Sequence, residues 1–279
     1  MSHVPVVSIL GNSVPLLIQP FRQHPEEQTY AEILRDRGLQ IVNGTKQSAM
    51  VTDVYGYLED ECIRHFPDFV ILHFGIVEAT YRARPRWLQN VFSMNAWNNS
   101  VINKGYNGPV TRGIKYVGKK IYRHTVERII FTFSLQRRWV SPRRYRFVLR
   151  DICKRIFSDT PAKRILLIGL PQVADWVERE APGTKRSVEE CNAVMKALPT
   201  EYANIFFVDL AAMQNQTPTA FSPDGIHLNA VGHRLLAEKL LELLSSERQD
   251  YTGWQRINQY DTLYRYYERW YKRPSSRSE

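Results

Sequence analysis

The sequence predicts an α/β protein: a doubly wound, mainly parallel five-stranded sheet flanked by helices. Five short runs, Val4–Leu10, Leu39–Asn43, Phe69–Phe74, Arg164–Leu170 and Ile205–Leu210, are largely apolar and rich in β-branched residues. Uninterrupted apolar runs of that length suit strands covered on both faces. Helical patterns fall between them, and their alternation, β-α-β-α-β-(insertion)-α-β-α-β-α, calls for a parallel sheet with right-handed crossovers. A chain of 279 residues with 43% hydrophobic and 24% charged content can bury one substantial core.

In chain order, Val4–Leu10 is the first strand, and Gly11-Asn12-Ser13-Val14 follows it. Gly11 permits a sharp turn at the strand's C-terminal end, where open α/β sheets place their ligand sites. A helix over Tyr30–Arg37 leads to the second strand. The polar loop Gly44-Thr-Lys-Gln-Ser48-Ala-Met then opens a helix expected over Thr52–His65. The third strand ends in Gly75-Ile76-Val77-Glu78. A helix through Phe157 precedes the fourth strand, which Pro171 stops. Ser187-Val-Glu-Glu190 has the form of a capping box opening the next helix. After the fifth strand comes a loop, then Ser222-Pro-Asp224-Gly-Ile-His227-Leu-Asn229 and an apolar helix from Leu235 to Leu244, with Asn229 as its N-cap.

Two segments stand outside this alternation. Residues 81–146 carry fifteen Lys and Arg against a single acid, Glu127, a surplus of 14 against a whole-chain net charge of +10. Trp87, Trp97, Tyr106, Tyr116 and Trp139 are interleaved with these charges. A connection of this length reads as a mostly helical insertion over the C-terminal edge of the sheet, and its charge makes an anionic ligand a candidate partner. Residues 247–279 form an aromatic and basic extension, which packs on the body or makes peripheral contact with a membrane or a second subunit. Residues 1–246 are expected to form one domain around the insertion. No apolar run approaches the roughly 20 residues of a membrane span. The N-terminus lacks the basic and small-residue pattern of a secretory signal, so the expected compartment is the cytoplasm. Cys62, Cys153 and Cys191 are odd in number and widely spaced, as reduced, buried thiols would be.

Asp224 stands three residues before His227, in the loop entering a helix. From there its carboxylate can accept the imidazole Nδ1–H and leave Nε2 free as a base. Ser13 stands where a nucleophile is presented, although a serine there also serves to cap the next helix. Together these stretches resemble the SGNH hydrolase family, the GDSL-like lipases and esterases. Gly11-Asn12-Ser13 resembles its first block, with Asn12 where Asp is commonest. Asp224-Gly-Ile-His227-Leu-Asn229-x-x-Gly232 resembles its last block closely. The resemblance covers residues 4–80 and about 147–246.

It implies a flavodoxin-like fold with Ser13 as nucleophile, His227 as general base and then acid, and Asp224 orienting the imidazole. The oxyanion would be held by the backbone amides of Ser13 and Ser48. The third block departs from the family: Gly75-Ile76-Val77-Glu78 has no Asn at position 77, and losing an oxyanion donor costs about 10²–10³ in rate. Arg82 or His73 could supply the missing bond. Asn12, Gly75, Glu78 and Arg82 are the expected substrate contacts. The implied activity is hydrolysis of a small O-acyl ester, on a carbohydrate or other metabolite, without metal or organic cofactor. An acyltransferase using the same site and a non-catalytic binding protein are the alternatives. A nucleic-acid role, suggested by the basic segment alone, is the weakest expectation.

Overall fold

The computed structural model describes residues 3–13, 27–82 and 137–245. The basic insertion between residues 83 and 136 and the C-terminal extension from residue 246 lie outside the described residues. The described strands are β1 (Val6–Gly11), β2 (Gln40–Asn43), β3 (Phe69–His73), β4 (Arg164–Ile168) and β5 (Ile205–Val208). They form one sheet in the order β2-β1-β3-β4-β5, parallel throughout. Chain progression reverses direction between β1 and β3, which is where a crevice opens at the carboxyl ends of the strands.

Both faces of the sheet are covered, which explains the apolar runs. Leu10, Val70, Leu72, Ile165 and Leu167 point to one core, with α4 (Pro142–Asp159) and α6 (Thr184–Glu201). Their neighbours Val7, Ile9, Phe69, Ile71, Leu166 and Ile168 point to the other, with α1 (Tyr30–Asp36) and α8 (Ala230–Ser245). Thr29 caps α1 in a reciprocal capping box with Glu32. Asn229 caps α8, its Oδ1 accepting from the Val231 and Gly232 amides at 3.0 and 3.2 Å.

Several boundaries differ from expectation. The helix expected over Thr52–His65 is broken into a 3₁₀ turn at Val51–Gly56, the short α2 (Leu58–Glu61) and a second turn at Ile63–His65. Gly56 interrupts it, and Tyr57 and Cys62 leave helical geometry. The short α3 (Ile76–Ala79) follows β3 directly. Helix α4 begins at Pro142, inside the stretch assigned to the insertion, because Ser141 caps it and Pro142 occupies its first turn. The capping box at Ser187 does not form: α6 opens earlier, at Thr184 after Gly183, while Ser187 Oγ and Glu190 both take Arg138. Two short helices, α5 (Asp175–Glu180) and α7 (Leu210–Gln216), replace expected loop; Asp209, read as strand, is the N-cap of α7.

The three cysteines are free and buried, and burial pushes the Cys62 and Cys191 thiols up to about 12, so they are protonated and inert. Among the described residues no helix is long and apolar enough to cross a membrane.

Gly232 lets the first turn of α8 meet the preceding loop. A Cβ there would lie 2.2 Å from the Ala220 carbonyl oxygen, a backbone atom that cannot swing aside. Gly232→Ala is expected to lower stability by about 1–3 kcal/mol, the clash outweighing the ~1 kcal/mol gain in helix propensity. Urea unfolding measures it; an unchanged midpoint would mean that the helix shifts freely.

Candidate active site

The loop between α7 and α8 is built to hold a carboxylate and an imidazole together. Phe221 and Leu228 bridge antiparallel, Ser222 N donates to His227 O at 2.8 Å, and Asn229 N donates to Ala220 O at 3.1 Å. Inside this closed loop, Asp224 Oδ1 accepts from the Ile226 and His227 amides at 2.8 and 3.0 Å. Its Oδ2 lies 2.6 Å from His227 Nδ1. Burial pushes the Asp224 carboxyl up, but the hydrogen bonds from the His227 side chain and backbone and from Ile226 outweigh it and hold it below the usual range. An ionised Asp224 fixes the tautomer with Nδ1 protonated and leaves Nε2 as acceptor.

Nε2 of His227 lies 3.5 Å from Ser13 Oγ, across 214 residues of sequence. That distance is the outer limit of a hydrogen bond, and such bonds are commonly long before substrate binds. Ser13 is set by the end of β1: Gly11 pairs in register with His73 of β3, and Asn12 N donates to His73 O at 3.2 Å. The expected nucleophile, base and carboxylate are therefore brought together in one row.

The loop carrying Ser48 runs beside β1, with Gly44 N on Ile9 O and Lys46 N on Gly11 O, both at 2.9 Å. Ser48 is exposed and has φ of +59°. This position therefore does require left-handed backbone, the condition in which glycine is the easier residue, and a serine adopts it here.

The expected substrate contacts are placed differently. Asn12 and Glu78 are fully buried, so neither presents its side chain to solvent. Gly75 has φ of +123°, and a Cβ there would come within 3.0 Å of Leu170 and 3.1 Å of Tyr145 Oη; its amide donates to Glu78 Oε2 at 3.0 Å. Gly75 and Glu78 thus bind each other. Arg82 is half-buried, its guanidinium 4.2 Å above the Trp139 ring and its backbone paired with Arg137. His73, the other candidate for the missing donor, is fully buried, and among the described residues neither ring nitrogen has a partner. Its ring lies on the α1 side, 6.2 Å from that of Tyr30, which in turn stacks on His233 at 5.8 Å.

Sequence reasoning missed Trp176. It is 45% exposed, and its indole N–H donates to Pro223 O at 3.1 Å, one residue before Asp224. No local motif marks it. Among the described residues no three His, Cys, Asp or Glu side chains gather in a metal-holding group.

Residues 14–235 match the model of the GDSL-like lipase/acylhydrolase family. The chain belongs to that family. It is accordingly an enzyme, a hydrolase of esters; Asp224 and His227 lie inside the match, and Ser13 immediately precedes it. Solved structures with the same fold include the acetylxylan esterase Axe2 from Geobacillus stearothermophilus, 17% identical with a TM-score of 0.52, covering 88% of this chain and 97% of that one. A lipase/acylhydrolase from Enterococcus faecalis is 15% identical with a TM-score of 0.55, covering 88% and 100%. The α/β hydrolase LAE5 from the metagenome of Lake Arreo, Spain, is 15% identical with a TM-score of 0.51, covering 85% and 94%. At these identities the likeness establishes the fold. No curated protein sequence matches the chain.

The buried histidines give a pH signature. Burial, then neighbouring histidines, lower His73 to about 3, and burial, then His227, lower His233 to about 3. Unfolded, each would titrate near 6.5. Their folded values are depressed, so the stability they confer is complete above about 6.5 and is lost as pH falls toward about 3. Each adds a slope of about 1.4 kcal/mol per pH unit in that window. His73→Leu is expected to remove one of the two slopes, measured as the difference between wild-type and variant unfolding free energies against pH. A difference independent of pH would mean that His73 takes up its proton in the folded state.

Proposed function

We propose that this enzyme hydrolyses small O-acyl esters through a covalent acyl-enzyme on Ser13. The observation that carries the reading is the bridging position of His227, with Nδ1 on Asp224 at 2.6 Å and Nε2 facing Ser13 Oγ at 3.5 Å. An imidazole so held can take the hydroxyl proton while Oγ attacks the acyl carbonyl. Asp224, ionised and hydrogen-bonded, stabilises the imidazolium. The tetrahedral oxyanion is received by backbone amides, those of Ser13 and Ser48. Collapse expels the alcohol, which takes the proton from His227. Water, deprotonated by the same imidazole, then attacks the acyl-Ser13 ester and releases the acid, restoring the serine. In each half of the cycle His227 gives up the proton it took, first to the alcohol and then to Ser13 Oγ, so the cycle consumes only ester and water.

The alcohol part is best matched by a carbohydrate. Trp176 offers an exposed aromatic face anchored beside the Asp224 loop, a surface on which the apolar face of a sugar ring stacks. The presence of an acetylxylan esterase among the proteins of this fold makes acetylated sugars the first esters to try.

Fluorophosphonate labelling followed by intact mass tests the nucleophile. A single adduct is expected on the wild type, none on Ser13→Ala, and labelling slowed by about 10²-fold or more in His227→Ala. Folded wild-type protein that never labels would overturn the acyl-enzyme reading in favour of a binding role. Trp176→Ala is expected to raise KM for an acetylated oligosaccharide about tenfold, equivalent to one lost stacking contact of ~1.4 kcal/mol, and to leave KM for p-nitrophenyl acetate unchanged. Equal effects on both substrates would remove the carbohydrate assignment.

A further inference from the structure

The third block of this chain lacks the family's Asn, and Val77 in its place is buried and apolar. The next residue carries an interaction that the family motif does not suggest. Glu78 is fully buried, and its two oxygens are used on different segments. Oε2 accepts from Gly75 N at 3.0 Å and caps α3; Oε1 accepts from Val51 N at 2.5 Å, 27 residues back in sequence. Capping a four-residue helix needs only the first of these.

The second bond pins the far end of the Ser48 loop. Its near end is held by Lys46 N on Gly11 O at 2.9 Å, and its middle by Ala49 N on Lys46 O at 3.0 Å and Met50 N on Asp53 Oδ2 at 3.0 Å. Between those anchors Ser48 takes left-handed backbone with its side chain exposed, so the position of its amide is set by what holds the loop ends. Val51 is itself fully buried, so its amide needs an acceptor within the fold, and Glu78 supplies it.

We infer that Glu78 is a positioning residue, clamping the Ser48 loop to the Gly75 turn so that backbone amides alone form the oxyanion site that elsewhere includes a side-chain amide. This rests on the acyl-enzyme reading above.

The clamp is titratable. Burial pushes the Glu78 carboxyl up to about 7, against the lowering effect of hydrogen bonds from Val51, Glu78 and Gly75 amides; Asp53 raises it further. The other groups that share its field are Tyr57, Arg82, Tyr145 and Cys191. Among these only Arg82 is cationic, and it makes no ion pair with Glu78 in the described structure. A protonated carboxyl carries its hydrogen on one of the two oxygens, which then no longer serves as a full acceptor. One of the two ties is weakened as pH falls through about 7.

Glu78→Gln holds the side chain permanently in the one-acceptor state and tests the clamp. The expected result is a kcat on a small ester lowered by about 10- to 100-fold, less than the ~10²–10³ cost of deleting an oxyanion donor outright, with KM within about threefold of wild type. The ionisation near 7 should vanish from the kcat–pH profile. A kcat and profile equal to wild type would overturn the inference. Amide hydrogen exchange at pH 8, where Glu78 is ionised, gives a second reading that does not need activity. At least one of the Val51 and Gly75 amides is expected to exchange faster in Glu78→Gln than in wild type, while Leu166 in β4 is unchanged. Equal exchange at Val51 and Gly75 in both proteins would equally overturn the clamp. Failure of the serine chemistry itself shows separately, as activity that survives Ser13→Ala.

Discussion

The hydrogen bond from Asn12 N to His73 O, 3.2 Å long, closes the ladder between β1 and β3, and the geometry of the site is referred to it. It fixes the end of the strand that delivers Ser13 at the level where β3 gives way to Gly75. Because β2 and β4 lie on opposite sides of this pair, the strand order reverses between β1 and β3, at whose carboxyl ends open α/β sheets place their ligand sites. The Ser48 loop is tied to the same strand end through Gly11 O, and the Asp224–His227 loop, capped onto the start of α8 by Asn229, brings His227 to Ser13. Four segments remote in sequence thus meet at one edge of a rigid sheet, the kind of support on which catalytic geometry is held to fractions of an ångström.

That convergence carries a cost in buried polarity. Behind the turn that carries Ser13, Tyr30, His73 and His233 gather, and among the described residues the tyrosine hydroxyl, both nitrogens of His73 and Nε2 of His233 have no partner. Only His233 Nδ1 is engaged, by Tyr30 N at 3.2 Å. Each unsatisfied group costs of order 1–3 kcal/mol, and both imidazoles avoid the larger cost of a buried charge by remaining neutral. Glu78 works in the opposite sense. Its folded value is raised, so it favours the folded state increasingly as pH falls from about 7 toward its ordinary range. Two depressed histidines set against one raised carboxyl leave acid as the destabilising direction over the range they share.

The strands were legible in the sequence because burial on both faces demands uninterrupted apolar runs, and their five-to-seven-residue length, β-branched content and bounding turn residues separate them from buried helix. The row of Ser13, Asp224 and His227 was legible for a related reason: short motifs at strand and helix ends have little freedom in where they point. The misreadings share a different cause. Ser187 and Glu190 had the spacing of a capping box, but Arg138, about fifty residues away in sequence, took both side chains, a tertiary contact that spacing does not report. Glu78 was expected to meet substrate because its motif lies at the site. The direction of its carboxylate depends on Val51 N, and no sequence period links those residues. Ser48 takes left-handed backbone, with φ of +59°, which a serine in a polar loop does not announce; only the backbone could show it.

Two carboxylates, Asp224 and Glu78, each bind two segments of the candidate site, and their contrast shows what decides a buried acid's charge. Each uses one oxygen to build its own turn, Asp224 Oδ1 on Ile226 and His227 amides and Glu78 Oε2 on the Gly75 amide. The other oxygen reaches the group that the chemistry requires to be in place, the imidazole in one case and the Ser48 loop in the other. Asp224 retains slight exposure, and its long-range partner is an imidazole able to carry positive charge, so the interactions win and it stays ionised. Glu78 is fully buried, its partners are neutral amides, and Asp53 adds a like charge, so desolvation wins. A base needs a permanent counter-charge as its imidazolium forms. A loop needs only acceptors, and acceptors that weaken near neutral pH make its position dependent on pH.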